Sequence, residues 1–557
     1  MSVSDEQHHR HQRQQQQPAG VGNVTRRPNV VLIVTDQHRP DHTGFGGHPL
    51  VETPHLDRIA AAGTVFDRAY VSNPICMPNR STIMTGRVPS VHGVRFNGIS
   101  LDWGANTFVR VLREAGYRTG LVGKSHLQNM GHLGGLTESF FSTPGDSVRD
   151  PWPDGWNLQE DAARHRAELV EVWPDFYGFD HVELVVDHSD GGGGHYHQWL
   201  VAQGVDPATM LGAEHALERV DCGWDQIRKP ALPEELYPTS YVRDRAVAFL
   251  DSAAATAAGA DATEPFFLQV SFPDPHHPFT PPGRYYHRYD PADVTLPATF
   301  HDPLDHAMPH ISQMAKFRGR QTPGLSVAPF APNERQLREA MAKELGMIAM
   351  IDDAVGDVLA ALDRSGLVDD TIVVFTSDHG DMFGDHGLLL KATLHYTGCV
   401  RVPLVISRPT DVAAGRAGAR SSSLVGSLDL AQTMLDLCGL PEYHGMQGAS
   451  LVPVLDDPSV VVHDRVLVEE DEMFDLYGTG HNFRMRTIIT DAGRLSRYHG
   501  AEMGEVYDHG VDPGELENRW ADPAGSPGRA LRAELHEAMA EEFVRVADES
   551  PKPTHFA

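Results

Sequence analysis

The sequence predicts an α/β protein, built on a doubly wound, mainly parallel sheet flanked by helices and followed by a smaller α+β unit at the C-terminus. Three observations predict it. Apolar, β-branched runs stop abruptly at polar residues, as strands buried on both faces do. These runs alternate with segments of helical period. After about Asp457 the pattern changes to short strands and one closing helix.

The first strand is Asn29 to Thr35 (NVVLIVT), with polar residues directly after it. Thr53-Pro54 then opens a short helix with Leu56, Ile59 and Ala60 on one face and Gly63 as its stop. Thr107 to Ala115 repeats that design, with Gly116 beyond it. Thr119 to Val122, Phe266 to Ser271 and Thr371 to Thr376 read as further strands. A long helical pattern, Glu334 to Leu362, precedes the last of these and is closed by Gly366. In the C-terminal unit, Val466 to Glu469 and Met485 to Thr490 read as strands and Arg529 to Val546 as a helix. The expected organisation is a disordered His- and Gln-rich leader (1–28), a catalytic α/β domain (29–456) and the α+β unit (457–557). Two stretches, about 128–238 and 283–332, lack a clear period and read as loop-rich insertions that wall a pocket. No repeat of solenoid length is present.

Composition narrows the function classes. The chain has 557 residues, 76 acidic against 46 basic side chains and a formal net charge of -30. That excludes non-specific nucleic-acid binding and attraction to anionic lipid. No segment has the apolar length to span a bilayer, and Met1 to Gly20 has no apolar stretch resembling a signal peptide. Four cysteines, Cys76, Cys222, Cys399 and Cys438, lie too far apart for a disulfide framework. A cytoplasmic location is the expectation. An anionic substrate would need basic side chains gathered at its site, against the overall field.

In doubly wound sheets the site lies beyond the carboxyl ends of the strands. Three such ends carry candidate ligands or acid–base groups: Asp36-Gln37, Asp274 to His277, and Asp378-His379. The sharpest single string is Cys76-Met77-Pro78-Asn79-Arg80, followed by Ser81, Thr82, Thr85, Gly86 and Arg87. Cys76 there precedes a proline at the start of a short helix, where backbone N–H groups and the helix dipole favour an anion. Arg80, one turn on, can reach back towards position 76. A lone cysteine beside a turn is more often simply buried, and the complete string is what changes the reading.

At these residues the chain resembles the sulfatases of the alkaline phosphatase superfamily. The resemblance continues through Thr53 to Asp57, Gly116 to Thr119, Gly123-Lys124-Ser125-His126 and Pro275-His276-His277-Pro278. It resumes at Ser377 to Gly380, Lys391, Arg401-Val402-Pro403 and, near the end, Val506-Tyr507-Asp508, Asp512-Pro513 and Glu517-Asn518. It implies an alkaline phosphatase-like fold. It also implies that a formylglycine-generating enzyme oxidises Cys76 to formylglycine (3-oxoalanine), and that the substrate is a small-molecule sulfate ester.

By the same resemblance, Asp36, Gln37, Asp378, His379 and position 76 hold one divalent metal. Lys124 and Lys391 bind the sulfuryl group, His276 and His126 act as acid and base, and Arg80 positions the nucleophile. His277 is an equally legible neighbour of His276. Asn97 is a candidate for substrate oxygens or a turn residue before Gly98. The commonest sulfatase pattern has Asp where Gln37 stands and Asn where His379 stands. The pair found here is similar to phosphonate monoester hydrolases and choline sulfatases, and an imidazole donor suits manganese better than calcium, with calcium and magnesium both left open.

Three other readings stay open at this point. A phosphonate monoester or phosphodiester hydrolase would use the same nucleophile; Gln37, His379 and Asn97 favour it, whereas Lys124 and His126 stand where those hydrolases have Tyr and Thr. A non-catalytic binding protein would need a broken nucleophile, metal or acid–base position, and an ordinary cysteine hydrolase a free thiol. The leaving group, whether aryl, sugar or choline, is not legible.

Overall fold

The computed structural model describes residues 27–131, 151–258, 264–321, 328–472 and 482–552. Nearly all of the expected leader, and parts of both expected insertions, lie outside the described residues.

A nine-stranded sheet forms the centre. In chain order its strands are β1 (Asn29–Asp36), β2 (Thr64–Phe66), β3 (Arg118–Gly123), β4 (His181–Val186), β5 (Gly193–Gly194), β6 (Phe266–Pro275), β7 (Thr371–Ser377), β8 (Leu404–Ser407) and β9 (Ala419–Ser421). Their order across the sheet is β9-β2-β8-β7-β1-β6-β3-β4-β5. The five strands from β7 to β4 run parallel, and the neighbours β8 and β5 are antiparallel to them. All eight residues of β1 are buried. Val30, Leu32 and Val34 enter the core on one face of the sheet, and Val31 and Ile33 enter the other. This two-faced burial explains why the strand reads as an unbroken apolar run.

On one face lie α1 (Pro54–Ala62), α4 (Pro238–Ala258) and α5 (Glu334–Arg364). The 31 residues of α5 start from a capping box in which Asn333 and Gln336 satisfy each other's backbone N–H. The side chain of Asp352, on α5, accepts the N–H groups of His55 and Leu56 and so closes the exposed start of α1. The opposite face carries α2 (Cys76–Thr85) and α3 (Phe108–Glu114), the latter capped by Thr107. The C-terminal unit is an antiparallel sheet of β10 (Arg465–Asp471), β11 (Arg484–Thr490), β12 (Gly493–Tyr498) and β13 (Glu505–Asp508). Helix α6 (Pro527–Arg545) packs on it through Leu531, Leu535 and Met539.

The expected α/β architecture with its α+β end is therefore present. The reading of 128–238 as loop needs amending: helices at Ala162–Ala167 and His195–Ala202 and two strands of the central sheet lie within it. His181–Val186 is a full member of the sheet, paired in parallel with β3 from Gly120↔His181 to Gly123↔Leu184. Its first three residues are only half-buried, and Glu183 accepts a hydrogen bond from Tyr241. Polar residues on a strand near the sheet's edge dilute the apolar run by which the central strands are recognised.

Candidate active site

Five parallel strands end on one side of the sheet, and each delivers side chains there: β1 Asp36 and Gln37, β3 Lys124 and His126, β4 Asp187 and His188, β6 His276 and His277, β7 Asp378 and His379. Cys76 enters from the opposite face as the first residue of α2. The glycine ending β3 has a structural reason. Gly123 has φ +107, and a Cβ there would lie 1.9 Å from the carbonyl oxygen of Ser271. Only a glycine lets β3 run against β6 at the point where Lys124 leaves the strand.

The acidic core of the site is Asp36 and Asp378, both fully buried. Arg80 binds both, with Nε donating to Asp378 Oδ2 at 2.7 Å and Nη2 to Asp36 Oδ2 at 3.3 Å. Its Nη1 donates to the Lys124 carbonyl and to Ser271 Oγ, each at 2.9 Å. Arg80 thus ties the carboxylates to β3 and β6; its hydrogen bonds do not reach back to position 76. His379 Nε2 lies 3.1 Å from Cys76 Sγ, 3.4 Å from Asp36 Oδ1 and 3.7 Å from Asp378 Oδ1. The ligand atoms of Asp36, Cys76, His276 and His379 all fall within 4.8 Å of one another.

Lys124 and Lys391 bracket this core. Lys124 Nζ donates to Asp36 Oδ2 and to His188 Nε2, both at 2.5 Å. Lys391 Nζ donates to Gln37 Oε1 at 2.7 Å and to His276 Nε2 at 2.6 Å. His276 Nδ1 is 2.7 Å from the His277 carbonyl oxygen, so its proton sits on Nδ1 and Nε2 is the acceptor. The ring of His276 is stacked on that of His188, with centroids 3.8 Å apart and planes 18° apart. Asn97 reaches α2, where its Oδ1 accepts the N–H of Met77 at 3.1 Å.

Electrostatics follow from burial and these partners. Burial pushes the Cys76 thiol up, but Lys124, Lys391 and His379 outweigh it and hold the group well below the usual thiol range. Burial and Cys76 likewise raise Asp36, and Lys124, His276 and His379 bring it below the usual carboxylate range. Burial, followed by the Lys124 charge, lowers His126 to about 4. His276 and His277 are lowered by burial and by neighbouring cationic groups. His379 goes the other way: burial and Lys391 oppose the proton, yet Asp378, Cys76 and Asp36 raise the group to about 10.

This donor set fits a divalent cation. Asp36 and Asp378 are buried carboxylates, His379 Nε2 lies 3.4 and 3.7 Å from them, and Gln37 directly follows Asp36. Gln37 Nε2, His126 Nδ1 and His277 Nε2 are buried without a hydrogen-bond partner, a pattern that points to a missing ligand. The other such group among the described residues, His55 with Asp352 and Asp353, is already engaged. Asp352 caps α1, and Asp353 binds Arg284 and Tyr285. A cavity of about 790 Å³ lined by Trp173, Trp199 and Arg245 contains none of these active-site side chains.

Asp36, Gln37, Cys76, Arg80, Asn97, Lys124, His126, His276, Asp378, His379 and Lys391, all expected from the sequence, lie together in one place, and two supporting groups, His188 and Glu160, were not expected. His188 stands within the centre. Asp274, one of the expected strand-end residues and two positions before His276, is raised to about 7 by burial and held by the hydroxyls of Thr239 and Ser189. Glu160 accepts the backbone N–H groups of His126, Leu127 and Gln128 at 2.7–3.0 Å. Recognition of β4 as a strand would have exposed Asp187-His188 by the same strand-end rule that found the others.

Residues 28–440 match the family model described as Sulfatase, and residues 384–544 match that of the N-sulphoglucosamine sulphohydrolase C-terminal region. An arylsulfatase of Clostridium perfringens is 27% identical over 500 residues, covering 88% of this chain and 90% of that protein. A choline-sulfatase of Rhizobium meliloti is 25% identical over 520 residues, covering 93% and 87%. Among solved structures, the phosphonate monoester hydrolase of Agrobacterium radiobacter superposes with a TM-score of 0.72 at 25% identity, covering 95% of this chain and 98% of that one. With strand ends, the Cys76 helix and the C-terminal unit in this arrangement, the chain belongs to the sulfatase family of the alkaline phosphatase superfamily and is an enzyme acting on an ester.

Proposed function

We propose that the enzyme hydrolyses a small-molecule sulfate ester to an alcohol and inorganic sulfate, through a formylglycine made from Cys76. The placement of position 76 carries this reading. It opens α2, lies 3.1 Å from His379 Nε2, and is the group whose proton Lys124, Lys391 and His379 displace. A formylglycine-generating enzyme would oxidise the thiol within the Cys76-Met77-Pro78-Asn79-Arg80 string. The sulfur then marks the position of the aldehyde oxygens.

Asp36, Gln37, Asp378, His379 and position 76 would hold one divalent ion, with manganese favoured by the imidazole and the neutral amide over calcium or magnesium. When bound, the ion supplies a concentrated positive charge that acidifies a hydroxyl at position 76 and offsets charge on the sulfuryl group. The aldehyde adds water to give a geminal diol. One hydroxyl gives up its proton to water and forms a bond to sulfur as the bond from sulfur to the leaving oxygen breaks. Lys124 turns from its internal partners and Lys391 from Gln37 to the sulfuryl oxygens, giving the local positive charge that a molecule of net charge -30 otherwise withholds.

The departing oxygen takes its proton from the Lys391–His276 pair, where Nζ already donates to Nε2. His126, kept neutral by burial and Lys124, removes the proton of the second hydroxyl. The carbon–oxygen bond to sulfate then breaks, the aldehyde reforms and sulfate leaves.

Tryptic mass spectrometry of the active enzyme tests the first step: the Cys76 peptide should carry the aldehyde in place of the thiol. Cys76→Ala should reduce kcat by roughly 10⁴-fold or more while leaving the fold intact. An unmodified thiol in fully active enzyme would sink the proposal, and inactivation by a thiol-alkylating reagent would point to a cysteine hydrolase. A phosphonate monoester hydrolase is the second reading, favoured by Gln37 and His379 and opposed by Lys124 and His126. The ratio of kcat/KM for an aryl sulfate to that for an aryl phosphonate decides between them. A screen of aryl, sugar and choline sulfates would identify the leaving group.

A further inference from the structure

His188 closes a circuit in the centre of the site. Asp36 accepts from Lys124, Lys124 donates to His188, His188 stacks on His276, His276 accepts from Lys391, and Lys391 donates to Gln37, the residue following Asp36. Five of these six side chains belong to the ligand, clamp and acid–base groups of the proposed reaction. His188 belongs to none of them, yet it touches one group from each half: the lysine on the nucleophile side and the imidazole on the leaving-group side. We propose that His188 is a positioning residue that sets the Lys124 ammonium and the plane of the His276 ring relative to one another.

The chemistry of the contacts fixes how it acts. An ammonium has donors only, so His188 Nε2 must accept from Lys124 and the ring proton lies on Nδ1. That Nδ1 is 3.1 Å from Asp187 Oδ1, which holds the tautomer and the ring's rotation. The stacked ring leaves His276 little freedom to tilt, while its Nδ1 contact with the His277 carbonyl oxygen fixes the remaining rotation.

The backbone supports the same assignment. Asp187 and Ser189 both have positive φ, 72° and 50°, so His188 sits between two residues in a conformation that costs roughly 1–2 kcal/mol each. Ser189 is fastened to the His276 segment, its hydroxyl oxygen lying 2.9 Å from the His276 carbonyl oxygen and 2.8 Å from that of Pro278. The end of β4 is thus anchored directly to the end of β6.

This assignment rests on the sulfatase reading, and two substitutions separate its two halves. His188→Asn keeps an oxygen that can accept from Lys124 and removes the stacked ring. His188→Phe keeps the ring and removes the acceptor. With the mature, metal-loaded enzyme and a series of aryl sulfates, the asparagine variant should bind inorganic sulfate within about threefold of the wild type by calorimetry. Its kcat should fall about 10- to 100-fold, most for the poorest leaving groups, so that log kcat depends more steeply on leaving-group pKa. The phenylalanine variant should show the reverse, with sulfate binding weakened about tenfold and the leaving-group dependence unchanged.

Variants that both stay within about twofold of the wild type in both measurements would overturn the assignment. So would variants that fall in parallel on every substrate with a lowered melting temperature, the mark of a merely structural residue. Failure of the sulfatase reading looks different. The wild-type enzyme would then be inert towards aryl sulfates and active on aryl phosphonates, and the same pair of variants would be compared on that series with inorganic phosphate as the bound anion.

Discussion

Arg80 carries more of the site than its place one turn after Cys76 suggests. It is 3% exposed, and its guanidinium is shared between Asp36 and Asp378. Removing one partner of a buried charge cluster leaves the others uncompensated, at about 3–5 kcal/mol. Arg80→Ala should therefore lose that much stability in urea denaturation with a chelator present. Added manganese should restore part of it, because the ion neutralises the same two carboxylates; equal stability of variant and wild type in chelator would remove Arg80 from this role. Cys76 was legible in the sequence because it stands in a complete string, whereas Lys124, His276 and Lys391 were legible through the family resemblance of the segments around them. His188 was not, because it depends on β4, whose polar Glu183 faces Tyr241 and breaks the apolar run. The double engagement of Arg80 was illegible too, since Asp36 and Asp378 meet only when β1 and β7 pair along their length.

At the scale of elements, the segment that follows β3 is held by one carboxyl group. Three backbone N–H groups favour the ionised form of Glu160, but complete burial wins and raises it to about 7. An unfolded glutamate titrates near 4.3, so the folded state binds the extra proton between those values. The stability linked to this proton is fully present below about pH 4 and is lost as the pH rises through 7, to the extent of about 3 kcal/mol by linkage. Glu160→Gln should flatten that part of the stability–pH curve while retaining an oxygen for the N–H groups; an unchanged curve would show that Glu160 is not the source.

Gly123→Ala tests the neighbouring junction. The added methyl group meets the Ser271 carbonyl oxygen at a left-handed position, so stability should fall by about 2–4 kcal/mol and KM should rise as Lys124 shifts. The central strands β1, β6 and β7 could be read from sequence because burial on both faces makes them uniformly apolar. Helix α4 announces itself only by Pro238 at its first turn, since alanine and threonine dilute its apolar stripe.

For the whole molecule, charge and architecture pull in different directions. A net charge of -30 repels a small anion at long range, whereas the two lysines act only at contact. Raising the ionic strength from about 0.01 to 0.2 M shortens the Debye length from about 30 to below 10 Å and screens the repulsion first. The kcat/KM for an anionic ester should then rise about two- to fivefold, and a fall would place the dominant field at the site itself. The C-terminal unit joins the sheet domain through Arg494, which is buried between Tyr396 and Tyr507 and bound to Glu515 at 2.7 Å. Among the described residues no helix is long and apolar enough to cross a membrane.

Cys76 is 2% exposed, with Asp36 and His379 against its sulfur. A macromolecular oxidant has no path to a sulfur atom at that depth, so if the aldehyde is made, it is made on a chain still being synthesised or freshly unfolded. The order of synthesis leaves time for it. The strands that flank β1 are encoded roughly 200 and 300 residues downstream of Cys76, which at about 5–20 residues per second is on the order of 10–60 s on the ribosome. Chains that fold before encountering the oxidant would keep the thiol permanently, and only unfolding and refolding in its presence would give them a second chance.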